Sequence, residues 1–134
     1  MKHTLFLTLA LTTGLAMQPV LAGNAARQSI IDALGAKAGT ALSAPRGKAL
    51  FLSTSTTGKP ETPSCSTCHT PDPTAEGRTR VGKPIAPMAV SRTPDRFTDP
   101  EKVDKWFRRN CNSVLGRDCT ATEQGDILTW LSSL

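Results

Sequence analysis

Cys65-Ser66-Thr67-Cys68-His69 combines two thiols spaced x-x with an imidazole directly after the second, inside the run PSCSTCHTPDP at residues 63–73. Three chemistries use such a set: attachment of a haem, thiol–disulfide exchange, and half of a zinc site. Cys-x-x-Cys-His is the signature of c-type haem attachment. Thiols about one helical turn apart can add to the two vinyl groups of the macrocycle, and the next residue can swing its imidazole under the iron. On this reading Cys65 and Cys68 are the thioether anchors and His69 is the proximal ligand of one covalently bound haem c. A redox dithiol places its Cys-x-x-Cys where a buried strand opens a helix, whereas the flanks here are Pro-Ser and Thr-Pro. A zinc site would have to recruit Cys111 and Cys119, which lie farther apart than the short spacing of structural zinc pairs.

If a haem is held, the other side of its iron decides the function. Small c-type cytochromes commonly place Met there and carry electrons. Met88, in KPIAPMA, is the methionine left once an N-terminal leader is removed, although it follows His69 at a short reach. Its other use is to pack as a flexible apolar side chain. His3 leaves with the leader, so two histidines cannot share the iron. The second candidate is Asn110. At about 100° per residue it falls about 20° from Val103 and between Trp106 and Phe107, whereas Asn112 falls on the opposite face. Asn110 is thus an amide on an apolar stripe, and a buried amide needs a partner. Trp106 and Phe107 are expected to pack, against the core or the haem. Pro84 or Pro87 is a candidate to offer a carbonyl to the His69 ring nitrogen. Cys111 and Cys119 are not needed for haem attachment, and a disulfide between them is the simplest account in an oxidising compartment. Closing so short a loop stabilises by roughly 2.5 kcal/mol in the chain-entropy picture.

The elements that must position these residues are helical. Met1-Lys2-His3, the apolar run Leu5–Met17 and the small residues before position 23 read as a secretory signal peptide, residues 1–22. Its apolar part falls short of the roughly 20 residues of a membrane span. Residues 23–134 then make one domain, exported to the periplasm, with no membrane span after signal removal and an expected monomeric state. The net charge is +5, one less without Lys2, and no aromatic-studded basic patch suggests nucleic acid. Aromatic residues make up 4 % of the chain and Tyr is absent, so a buried macrocycle would supply missing apolar mass. Periodicity predicts helices from Asn24 to about Leu42, from Ala44, from Pro100 after a Thr98 or Asp99 cap, and from the Thr120–Glu123 capping box onward. Between Ser53 and Thr98 a Pro- and Thr-rich stretch reads as loops wrapped around a cofactor. The fold class is all-α, a small monohaem cytochrome c fold.

Through RGKALFLST, GKPETPSCSTCH, TPDRFTDPEKVDKWFRRNCNSVLGRDCT and GDILTWL, nearly the whole of residues 23–134 resembles the sphaeroides haem protein (SHP) type of high-spin cytochromes c. The resemblance implies His69 as proximal ligand, Asn110 as distal ligand in the oxidised state, and a Cys111–Cys119 bridge beside it. It implies that Asn110 detaches on reduction, opening a site for small gaseous ligands such as O2, NO and CO, with ligand reduction as the enzymatic extension. It also implies a dihaem cytochrome c as electron donor. The alternative is a His69/Met88 electron-transfer cytochrome without ligand binding.

Overall fold

The computed structural model describes residues 18–134, with side chains from residue 23. Most of the expected leader, residues 1–22, lies outside the described residues. Among the described residues there are five helices and one small hairpin: α1 Gln18–Ala38, α2 Ala44–Leu52, the single turn α3 Ser66–His69, strands β1 Gly77–Arg78 and β2 Pro84–Ile85, α4 Pro100–Leu115 and α5 Ala121–Ser132. The expected all-α architecture is observed, with the antiparallel pair Gly77↔Ile85 and Arg78↔Pro84 added within the long loop. Among the described residues no helix is long and apolar enough to cross a membrane.

Local sequence sets the helix boundaries. The first helix stops at Ala38, short of the expected Leu42, because Gly39 takes a left-handed conformation at φ 64°. Ser43 caps α2 by accepting the Arg46 N–H, and Pro45 sits in the first turn where its missing N–H costs nothing. Asp99 caps α4 through the Lys102 N–H, ahead of Pro100. Thr120 and Glu123 close the capping box of α5.

The frame is α5 laid across α2 and α1. Phe51, Ile127, Trp130 and Leu131 form the central cluster, and Leu128 and Leu131 are fully buried. Helices α2 and α5 approach until a Cβ built on Gly47 would stand 2.1 Å from the Asp126 carbonyl oxygen, so this crossing admits glycine alone. Beside it the buried Asp126 carboxylate takes the Arg46 guanidinium at 2.7 Å and the Ser43 N–H at 2.5 Å. The pair is well satisfied, which is what a buried carboxylate needs in order not to destabilise the fold.

Candidate haem site

The Cys-x-x-Cys-His segment forms the single turn α3, held in place from its N-terminal side. The Ser64 hydroxyl is 3.1 Å from the Phe51 carbonyl, tying the turn to the end of α2, and the Ser66 N–H donates to Ser64 Oγ. Immediately after His69, Thr70 is forced to φ 61° and ψ 157°. A β-branched residue there carries strain of order 1 kcal/mol or more, and the chain leaves the turn sharply.

Cys65 and Cys68 are not joined to each other. Burial pushes the Cys65 thiol up to about 11, opposed by a weaker main-chain hydrogen bond. An exchange-active cysteine has a lowered pKa, so this thiol is poorly suited to redox-dithiol chemistry. The His69 imidazole is pushed down to about 4, first by burial and then by the nearby Arg96 guanidinium, and is therefore neutral near pH 7. A neutral imidazole is what a metal needs. Its Nδ1 is buried and has no hydrogen-bond partner.

That orphaned nitrogen corrects one expectation. Neither Pro84 nor Pro87 offers it a carbonyl. The Pro87 oxygen is taken by Thr93 Oγ1 at 2.9 Å and Arg96 Nε at 3.1 Å. Arg96 in turn is backed by the buried Arg27 of α1, whose Nε donates to the Arg96 carbonyl at 2.9 Å. Two arginines thus staple the Pro87–Phe97 loop to the body. Met88, carried on that loop, is half-buried and packs against the central cluster, as do Phe97, Phe107 and Leu50.

On α4 the buried side is Val103, Cys111 and Val114, with Phe107 and Asn110 half-buried between them. Trp106 is 51 % exposed. Taking about 100° per residue, Trp106 lies roughly 80° from the centre of this stripe, so it stands at the rim where the expected packing face ends. Its ring carries Arg109 at 5.1 Å and Lys105 at 5.8 Å. Asn112 is exposed, and its amide donates to the Arg108 carbonyl at 2.8 Å. The Asn110 carboxamide, by contrast, makes no side-chain hydrogen bond among the described residues. Cys111 and Cys119 are joined in a disulfide directly beside it, which also removes both from any zinc set.

These residues fit a covalently attached haem. Two unpaired thiols precede a neutral imidazole with an unsatisfied nitrogen, and half-buried apolar side chains surround the same region. Several contributors were not singled out from sequence. Phe51 stands 6.1 Å from the His69 ring, centroid to centroid, and 5.2 Å from Trp130. Its position four residues after Gly47 on α2 was a usable signal. Arg96 and Arg27 had none, because they act through loop carbonyls.

Comparison with known proteins gives the same direction. Residues 37–131 match a family model described as a domain of unknown function, DUF1924. The chain is 57% identical over 115 residues to the cytochrome c-type protein SHP of Cereibacter sphaeroides, covering 86% of this chain and 89% of that one. It is 36% identical over 86 residues to cytochrome c'' of Methylophilus methylotrophus, covering 63% and 60%. Among solved structures, oxidized SHP, described as an oxygen-binding cytochrome c, superposes with a TM-score of 0.79 over 81% of this chain and 96% of that one. Oxidized cytochrome c'' superposes with a TM-score of 0.64 at 29% identity, covering 84% and 94%.

Proposed function

The chain belongs to the sphaeroides haem protein family of monohaem c-type cytochromes, and from that premise we propose that it accepts an electron and then binds a small diatomic ligand such as O2, NO or CO. Residues 1–22 are a leader removed on export, and residues 23–134 work in the periplasm as a monomer. A dihaem cytochrome c supplies the electron. The likeness to oxidized SHP, described as an oxygen-binding cytochrome c, supports the ligand class.

When bound, the haem would supply an iron that changes by one electron and that takes ligands from the protein. Cys65 and Cys68 anchor it by thioether bonds, and His69 provides a neutral imidazole for the proximal position. Asn110 provides a carboxamide oxygen for the distal position. That oxygen is a hard, weak donor, better matched to ferric than to ferrous iron, so Asn110 would hold the oxidised iron and would give up its place to a small ligand in the reduced protein. The disulfide beside it limits how α4 can shift as it does so. Phe107 packs against the cofactor, and Trp106 shields its rim.

The observation that carries this reading is the half-buried Asn110 amide with no hydrogen-bond partner among the described residues. Reduced protein is expected to bind CO rapidly, seen as a shifted Soret band; a reduced spectrum that CO leaves unchanged defeats the proposal. Asn110→Ala is expected to change the oxidised spectrum and keep CO binding. A second reading, electron transfer with His69 and Met88 as ligands, draws on Met88 being packed against the central cluster. It predicts the long-wavelength charge-transfer band of thioether ligation, abolished in Met88→Ala.

A further inference from the structure

Outside Asn110, α4 and the strap before the attachment turn enclose a solvent-open hollow of about 400 Å³ lined by Lys59, Trp106, Arg109, Asn110, Asn112 and Ser113. The lining contains two full positive charges and no carboxylate. Neither Lys59 nor Arg109 forms an ion pair among the described residues, where the pairs are Arg46–Asp126, Arg78–Glu76, Arg80–Glu61, Lys102–Asp99, Arg108–Asp104 and Arg117–Glu123. The carboxylates nearest in sequence are committed elsewhere: Glu61 to Arg80, Asp104 to Arg108, and Asp118 to the Asn112 amide.

The cations are held without counter-ions. Lys59 is placed by its own main-chain N–H, which donates to the Ser113 carbonyl at 2.7 Å. Arg109 lies over the Trp106 ring at 5.1 Å, and stacking of this kind fixes a guanidinium while leaving its edge N–H groups free. Lys105, over the same ring, adds charge from the rim. The C-terminal carbonyls of α4 would repel an anion, but two of them are covered: Ser113 by the Lys59 N–H and by Thr62 Oγ1, and Leu115 by Thr57 Oγ1. With the Thr62 proton given to the Ser113 carbonyl, the Ser113 hydroxyl donates to Thr62 Oγ1 at 2.8 Å. The donors left facing the hollow are the Lys59 ammonium, the Arg109 guanidinium and the Asn110 amide.

We infer that this hollow is a binding site for small monovalent anions, of the nitrite or azide class, seated between Lys59 and Arg109 against the Asn110 carboxamide. The inference deepens the proposed function and rests on it in one respect. An anion held here touches the same amide that is assigned to the iron, so anionic ligands gain a local concentration that neutral diatomics do not.

Azide on the oxidised holoprotein, read by absorption, and CO association with the reduced holoprotein, read by flash photolysis, separate the two ideas. Replacing both cations (Lys59→Ala with Arg109→Ala) should weaken azide about tenfold and move the CO association rate by less than twofold. The charge-conserving pair (Lys59→Arg with Arg109→Lys) should keep azide affinity within about threefold, and added salt should weaken azide on the wild type more than on the alanine pair. Unchanged azide affinity in the alanine pair overturns the inference, as does an equal loss in the charge-conserving pair. If azide affinity holds but reduction by flavodoxin hydroquinone, an acidic donor protein, slows, the charges serve protein docking and the anion site is overturned. Absence of CO binding in reduced wild-type protein defeats the proposed function instead, and azide affinity is read independently of that result.

Discussion

At the α2–α5 crossing, main chain meets main chain: Gly47 lies against Asp126, Leu128 and Leu131 are sealed, and the one buried carboxylate has all its partners. Around His69 the packing is of another kind. Met88, Phe97 and Phe107 are only half-buried and the His69 Nδ1 has no partner, and on α4 the half-buried Asn110 amide makes no side-chain hydrogen bond among the described residues. The first region is completed by the protein's own side chains. The second has the composition of a wall whose other face is a cofactor. The contrast separates residues that make the fold from residues that await a ligand, and it can be broken by experiment.

The largest effect is expected at the closed end. Gly47→Ala drives a methyl group into the Asp126 carbonyl and the Ile127 nitrogen, main-chain atoms that cannot rotate away. We predict a loss of about 3 kcal/mol, a fall in Tm of roughly 15 °C by circular dichroism; an unchanged Tm would mean that the crossing is looser than described. The next pair sharpens the contrast. Leu131→Ala should cost about 3 kcal/mol in urea titrations with or without haem. Phe107→Ala should cost about 1 kcal/mol without haem and at least twice that with it. Equal costs of Phe107→Ala in the two states would erase the distinction between the regions.

The smallest effect is electrostatic and lies in neither region. Glu123, hydrogen-bonded by Arg117 and by the Thr120 main chain against partial burial, is held down at about 2. Its folded pKa lies below the unfolded value, so its contribution is complete above about pH 4.5 and is lost as pH falls toward 2. Glu123→Gln should therefore lower stability by about 1 kcal/mol near neutrality, after allowing for solvent screening of this half-open pair. The gap to wild type should close in acid melts, and a gap that stays constant from pH 6 to 2.5 would exclude the pair as its source.

Local chemistry made much of this legible beforehand. The caps at Asp99 and Thr120, the proline starts of α2 and α4, and the Cys-x-x-Cys-His turn are all short-range patterns, and the structure follows them. Helix geometry placed Asn110 on the inward side of α4, where it is half-buried, but gave Trp106 too central a position. A stripe drawn through Val103, Trp106 and Phe107 ignores that Cys111 and Val114 pull its centre toward Phe107. What remained hidden depends on distant segments meeting. No periodicity announces that Pro87 will be claimed by Thr93 and Arg96 instead of His69, or that Gly47 will touch α5.

The strap over residues 57–62 has a further meaning. It is riveted to the last turn of α4 by the Lys59 N–H, by both Thr57 and Thr62 hydroxyls, and by Gly58, where any Cβ would strike the Val114 carbonyl at 2.3 Å. A few residues later the same strap becomes the turn that carries Cys65 and His69. The two halves of the site are therefore parts of one stiff bracket, its gap gauged by polypeptide before any pigment arrives.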